Sequence, residues 1–506
     1  MAPAWCKLAA ALMAATSFVS ATTGFQHFVT RSNGSLYDGS SKFKFVSFNI
    51  PDMLQLETRL PGTLVAPNDF EIHDALQSIA LMNGKVARTY TFSVCCNNPS
   101  DDPSTYHISA NGVYSHAMFN ATDRLLYWAN KLQVRLIIPM INNWEYHGGV
   151  QAFAKLVLGA QAANFDYYDA FFNNETVIKA YLNFVKYVLN RTNPYTGVQY
   201  KNDKAILAWE IGNELGGWTW DNMTVPPAWI ERVATFIKQN DPKHLVKEPH
   251  IIHNTRWAEF QANGLLTYKD IDLYGRHYYW GSSTGSGMKS DLIFDSSSLK
   301  AAAPTKVFVA TEFGFVNSTE YTNFLNEIVA SPNVTGALAW SLRYRSRNGG
   351  FYTHSEGNGY FSYHFPGFPY PTNQTDVVNW SPDTYEPDFV KTMIQSAAKA
   401  AGTSVASYTI TVAPQVFTNS TKGTGQIALS WTGSAGAASY NVIRNGVSIA
   451  KSVSDGVPAT TDGSWKVLYA DKNVKCGQAY KYAVTPCNSV STCGPISTTV
   501  SATLPC

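Results

Sequence analysis

The chain has 506 residues, enough for a large barrel and a second, smaller domain. Charged residues make up 15 %, aromatics 13 %, and the formal net charge is +2. A charge that small and evenly spread argues against nucleic acid or an acidic membrane surface as partner, and it suits a neutral ligand that offers flat apolar faces.

The chain opens like an export signal: Lys7 is its only charge, an apolar stretch runs from Leu8 to Val19, and Val19-Ser20-Ala21 precedes a cleavage point. Residues 1–21 are read as the signal, with the mature chain starting at Thr22. The stretch is shorter than the roughly 20 residues that cross a bilayer, so no membrane anchor is expected. Nine Asn-X-Ser/Thr sequons, at Asn33, Asn120, Asn174, Asn190, Asn222, Asn317, Asn333, Asn373 and Asn419, agree with secretion. Removing the signal discards Cys6 and leaves six cysteines. Cys95 and Cys96 are adjacent and have no third cysteine near them, so a bond between the two is expected. Cys476, Cys487, Cys493 and Cys506 pair among themselves in an order that the sequence leaves open. No metal-ligand spacing appears, and neither metal nor cofactor is expected.

Short β-branched and apolar runs mark eight strands: Phe43 to Ile50, Lys85 to Tyr90, Val134 to Met140, Ala205 to Gly212, His244 to Glu248, Ile271 to Tyr279, Lys306 to Phe313, and Gly336 to Leu342. Amphipathic segments such as Asp69 to Asn83, Asp123 to Lys131, Thr176 to Leu189, Pro227 to Gln239 and Glu320 to Ala330 lie between them. Such alternation predicts a parallel sheet, and eight repeats predict a closed (β/α)8 (TIM) barrel over 22–401. A linker over 402–412 and a small all-β sandwich over 413–506 follow, the latter from period-two runs at Ile427–Trp431, Ser439–Ile443 and Tyr480–Val484.

Two glutamates end predicted strands, at the barrel face where catalytic groups sit. Glu214 closes Ala208-Trp-Glu-Ile-Gly-Asn-Glu214, and Glu312 closes Lys306-Val-Phe-Val-Ala-Thr-Glu312. Gly216-Gly217 and Gly314 follow and leave space beside them. A paired acid and base of this kind is what cleavage of a glycosidic bond needs. Period two also turns Glu210 inward below Glu214, where it needs a partner of its own. Trp144, Trp218, Trp220, Trp280 and Trp340 follow or lie on strands and are candidate walls for sugar faces.

Ala208–Glu214 resembles the Asn-Glu signature of clan A glycoside hydrolases, and Thr311-Glu312-Phe313-Gly314 resembles the matching nucleophile motif. The family implied is family 5. Within it, Arg135–Gly149 and Asp241-Pro-Lys-His-Leu-Val246 resemble fungal β-mannanases. The resemblance implies Glu214 as acid/base, Glu312 as nucleophile, Asn213 on the sugar 2-hydroxyl, and Arg88 holding the nucleophile ionised. It further implies His277 and Tyr279 as the family His-X-Tyr, with the tyrosine hydroxyl facing the nucleophile, and Trp340 as the platform under the sugar. An arginine beside Glu312 is expected to lower its pKa, while Glu214 keeps its proton.

The C-terminal segment resembles a fibronectin type III domain and is expected to act as a spacer, dispensable for activity on soluble substrate. Two departures leave exo-acting β-mannosidase or β-glucanase activity open. Strand five lacks the acidic glycine-rich turn of mannanases, and an arginine-rich insertion, Ser341–Arg347 with Gly349–His354, is positioned to close one end of the cleft. A non-catalytic glycan-binding protein would be favoured by loss of either glutamate, and both are present. The expected partner is a polysaccharide, met by a secreted monomer.

Overall fold

The computed structural model describes residues 24–57, 66–96, 101–217, 225–249, 257–279, 287–356, 359–360, 362–368 and 385–506. The export signal, Trp218, Trp220, Trp280, the sequons Asn222 and Asn373, and the turn after strand five lie outside the described residues.

Eight parallel strands close a barrel. They are β1 (Phe45–Ile50), β2 (Val86–Thr89), β3 (Arg135–Pro139), β4 (Ile206–Glu210), β5 (Leu245–Lys247), β6 (Leu273–Tyr279), β7 (Val307–Gly314) and β8 (Val334–Ala339). Helices cover the outer faces, among them α1 (Asp69–Leu81), α2 (His116–Leu132), α3 (Glu175–Asn190) and α4 (Pro227–Asn240). Both faces of each strand are therefore covered, which is why runs such as Leu136-Ile137-Ile138 are apolar without alternation and fully buried. Every predicted strand is present, with no end moved by more than three residues.

The end of the barrel at the strand N-termini is filled by Phe45, Val86, Ile137, Leu207, Leu273 and Val307, with Val29 and Leu36 of the N-terminal hairpin against them. Phe45 fits there because Gly336 on β8 has no side chain: a Cβ at 336 would lie 2.2 Å from the Phe45 ring. Packing of this kind leaves the opposite end free to carry chemistry.

After the barrel come two antiparallel sheets around Trp431, Tyr440, Val442, Tyr482 and Val484. One joins β9 (Gln415–Asn419), β10 (Ile427–Thr432) and β13 (Tyr469–Asp471). The other joins β11 (Ser439–Arg444), β12 (Val447–Val453), β14 (Ala479–Cys487) and β15 (Val500–Thr503). Cys476 pairs with Cys506 and Cys487 with Cys493, which fills in the pairing order, and Cys95 is bonded to Cys96.

The all-β region is docked on the stretch after β8. Arg345, fully buried, bonds Asp455 Oδ2 at 2.7 Å, the Ala437 carbonyl at 2.8 Å and Asp74 of α1 at 3.3 Å. Phe351 N donates to the Val457 carbonyl at 2.9 Å, and Ala459 N returns a bond to Phe351 at 2.8 Å. Gly433 is required beneath Arg345, since a Cβ there would lie 2.1 Å from Arg345 Cδ.

Within the arginine-rich insertion, Arg345 joins the barrel to the β region, and Arg347 bonds Glu71, which also caps α1 through Asn68. Breaking a buried ion pair on one side leaves an uncompensated charge, at a cost of about 3–5 kcal/mol. Asp455→Ala should lower the stability of the whole protein by about that much, with barrel and β region unfolding in one calorimetric transition. A separate early transition for the β region would contradict the coupling.

Candidate active site

The end of the barrel at the strand C-termini holds a cavity of about 320 Å³ lined by Glu57, Tyr90, Trp144, Tyr146, Asn213, Glu214, Tyr279, Glu312, Phe315, Trp340 and His354. At its floor lies Arg88, which has no solvent exposure. Its Nη1 donates to Glu312 Oε1 at 2.6 Å and to Asn49 Oδ1 at 3.1 Å, and its Nη2 donates to Asn213 Oδ1 at 2.6 Å. Nε and Nη2 grip Glu210 at 2.7 and 2.9 Å, and Lys247 Nζ reaches the same carboxylate at 3.0 Å. Glu210 has therefore found the partners its inward position required. Burial alone would raise its carboxyl, but Arg88 and Lys247 overcome this and hold it at about 2.

Glu214 lies past the end of β4 and not on it. The strand stops at Glu210, and Glu214 turns off with φ +54°, so period two does not carry across the three residues between them. Instead Asn213 N bonds the Ile141 carbonyl at 2.7 Å and Leu215 folds back over Gly212, which aims Glu214 across the cavity. Its Oε2 accepts from Trp144 Nε1 at 2.5 Å, and its Oε1 meets His277 Nδ1 at 2.6 Å. Trp144 thus binds the carboxylate as well as lining the wall.

On β6 the side chains alternate. Arg276 and Tyr278 point outward to Asp295, while His277 and Tyr279 point into the site. Tyr279 donates its hydroxyl to Glu312 Oε2, and His277 Nδ1 lies 3.3 Å from that oxygen. Burial lowers His277 to about 4, so the ring is neutral near neutral pH. A neutral ring can accept a proton-bearing Glu214 at Nδ1 or, as the other tautomer, donate to ionised Glu214.

One oxygen of Glu214, one of Glu312 and a His277 nitrogen lie within 4.8 Å of one another. So close an approach of two carboxylate oxygens favours a retaining pair, with carboxyls roughly 5–5.5 Å apart, over an inverting pair held roughly 6.5–9.5 Å apart to admit a water. Among the described residues this trio alone has metal-ligand spacing. Arg88 and Tyr279 already engage both oxygens of Glu312, a donor set that suits an anion held for reaction better than one shared with a cation.

The expected lowering of Glu312 by Arg88 needs correction. Burial pushes the carboxyl up, and His277 when charged, then Arg88, oppose it without reversing it. Asn213 lines the cavity with both polar ends occupied, its Nδ2 on Asn142 Oδ1 at 3.0 Å. Trp340 is 7 % exposed and packs edge-on to Tyr90.

Several lining residues escaped sequence reasoning. Tyr90 shares parity with Arg88 just past the end of β2 and was legible from that spacing. Glu57, Tyr146 and Phe315 stand beyond strand ends, where no periodicity reaches.

Arg88→Met should cost about 3–5 kcal/mol at neutral pH, because it strands two buried carboxylates. Glu210, depressed from 4.5 to about 2, stabilises the fold above the unfolded value and loses that contribution as pH falls through the folded one. The stability gap between wild type and variant should therefore narrow between pH 4.5 and about 2 in denaturant titrations. A gap that does not change with pH would contradict the pairing.

A family model described as GH family 5 beta-mannosidase-like matches residues 26–311. Mannan endo-1,4-beta-mannosidase 4 of Oryza sativa subsp. japonica is 30 % identical over 228 residues, 41 % of this chain and 48 % of its own length. The protein of that name from Solanum lycopersicum is 34 % identical over 184 residues, 35 % of this chain and 42 % of its own. The chain spans about half the length, or less, of these curated relatives. Among solved structures, the endo-beta-1,4-mannanase from Thermotoga petrophila aligns with a TM-score of 0.56 at 19 % identity, over 92 % of this chain and 99 % of its own. The endo-1,4-beta-mannanase from Rhizomucor miehei aligns at 0.55 and 21 % identity, over 74 % and 99 %. At these identities the likeness shows the fold.

Proposed function

The chain belongs to the GH family 5 beta-mannosidase-like family, and from that premise we propose that it is a retaining β-glycosidase acting on β-1,4-mannan or a related β-glycan, of the mannan endo-1,4-β-mannosidase type. The observation that carries this reading is the convergence of Glu214 and Glu312 within 4.8 Å on the cavity wall.

In the proposed reaction, Glu312 attacks the anomeric carbon while Glu214 gives its proton to the departing oxygen. The products of that step are a glycosyl ester on Glu312, a free alcohol and an ionised Glu214. Glu214 then takes a proton from water, whose oxygen displaces Glu312 and restores both carboxyls. Arg88 and Tyr279 favour the ionised form of Glu312 against burial, and His277 serves either state of Glu214 by exchanging tautomers. Trp340 offers an apolar face for the sugar at the cleaved bond.

An exo-acting β-mannosidase or β-glucanase is the second reading, favoured by a cavity at the small end of the 300–1,000 Å³ range of binding sites. The signal-like start and nine sequons support export, with action on polysaccharide as a monomer outside the cell. Two sheets packed around Trp431 and Tyr440 support the fibronectin type III-like reading of 413–506.

A reducing-sugar assay on β-mannan, β-1,3-glucan, cellulose and xylan should find β-mannan the best substrate, and its product lengths separate internal from terminal cleavage. Glu214→Gln should lose roughly 10²- to 10⁴-fold in kcat, and Glu312→Ala at least as much. Wild-type rates in either variant would overturn the assignment.

A further inference from the structure

We propose that Asn419 carries an N-glycan whose first sugar, an N-acetylhexosamine, packs on the stacked rings of Phe417 and Trp465 on the outer face of the C-terminal sheet, an inference that rests on export of the chain.

Phe417-Thr418-Asn419-Ser420-Thr421 places a ring two residues before a sequon asparagine. On β9, Val416 packs into the core with Trp431, so period two turns Phe417 and Asn419 together toward solvent. Two residues along a strand span roughly 7 Å, within reach of a sugar linked to the exposed Asn419. Trp465, 39 % exposed, lies against Phe417 with ring centroids 3.7 Å apart and planes 32° from parallel. The backbone next to it is fixed: Lys466 N donates to the Asn348 carbonyl at 2.9 Å, and the Lys466 carbonyl accepts from Ser430 Oγ at 2.5 Å. Across the sheet from Asn419 stand Ala428 and then Ala470, small side chains that leave the face low beside the rings. A sugar laid there meets aromatic faces with its C–H groups.

The local pattern does not by itself make such a surface. Phe172 and Phe315 also stand two residues before sequon asparagines, Asn174 and Asn317. Phe172 is only 4 % exposed in the barrel core and Phe315 8 % on the cavity wall, so neither ring offers a face to a glycan. Among the described sequons, Asn419 alone follows a solvent-facing ring. A tether also holds its sugar at an effective concentration of millimolar order, which favours the chain's own glycan over free polysaccharide on so small a surface. In the attachment, Asn419 Nδ2 displaces the diphosphate of a lipid-linked oligosaccharide. A C–N bond to the anomeric carbon forms, the C–O bond to phosphate breaks, and the amide gives up one proton as the lipid diphosphate leaves.

The test uses the full chain secreted from a eukaryotic host. Peptide N-glycanase cuts between the first sugar and asparagine, and release from the folded protein is timed at each site by peptide mass spectrometry. Release at Asn419 should be roughly two- to tenfold faster in Phe417→Ala and in Trp465→Ala than in wild type, with the other occupied sequons unchanged. Equal rates at Asn419 in all three would overturn the proposal. Should the ring variants not fold, Thr421→Ala blocks attachment and keeps both rings. Amide exchange over β9 and β10 should then quicken by a similar factor, and unchanged exchange would refute the packing. Occupancy elsewhere with Asn419 bare would sink the proposal alone, and retardation of that protein in a β-mannan gel, lost in Trp465→Ala, would give the rings to polysaccharide instead. No occupied sequon at all would sink export as well.

Discussion

Arg88 sits where water cannot reach it and bonds two carboxylates and two amide oxygens, so the floor of the site is built around one guanidinium. Two buried cations, Arg88 and Lys247, face two buried carboxyls, Glu210 and Glu312. The desolvation cost of such a group is recovered only when every charge is matched and every donor satisfied. Four strands contribute: Arg88 from β2, Glu210 from β4, Lys247 from β5 and Glu312 from β7. A shift of any of them along the barrel would separate the charges, so the site and the closure of the barrel constrain each other.

Charge matching continues outward along the stretch after β8. Arg343, Arg345 and Arg347 are two residues apart, yet they bond Glu57 at the cavity, Asp455 in the β region and Glu71 at the start of α1. One short segment therefore ties the cavity rim, the C-terminal sheets and the first barrel helix together.

Barrel strands and the two glutamates were legible in the sequence because parallel strands buried on both faces read as apolar runs, and because Glu312 ends its run in register. Glu210 was legible too, since period two holds as long as the strand does. Glu214 was found by motif while its placement on β4 was not correct: the chain leaves the strand at Glu210, and hydrogen bonds to the β3 segment set its direction. The interface at Arg345 and the wall at Glu57 were not legible, because they join residues hundreds of positions apart through loops, where no local pattern records the partner. Composition could announce the arginines but not where each would turn.

We propose that Glu312, held by Arg88 and Tyr279, becomes the covalent carrier of the sugar opposite Glu214. The most direct measurement is intact and peptide mass spectrometry after incubation with a 2-deoxy-2-fluoro-β-mannosyl fluoride, which slows release of the intermediate. An increase of one fluoromannosyl unit is expected, confined to the peptide that contains Glu312. An adduct on Glu214, or rapid turnover to the α-anomer without any adduct, would contradict it.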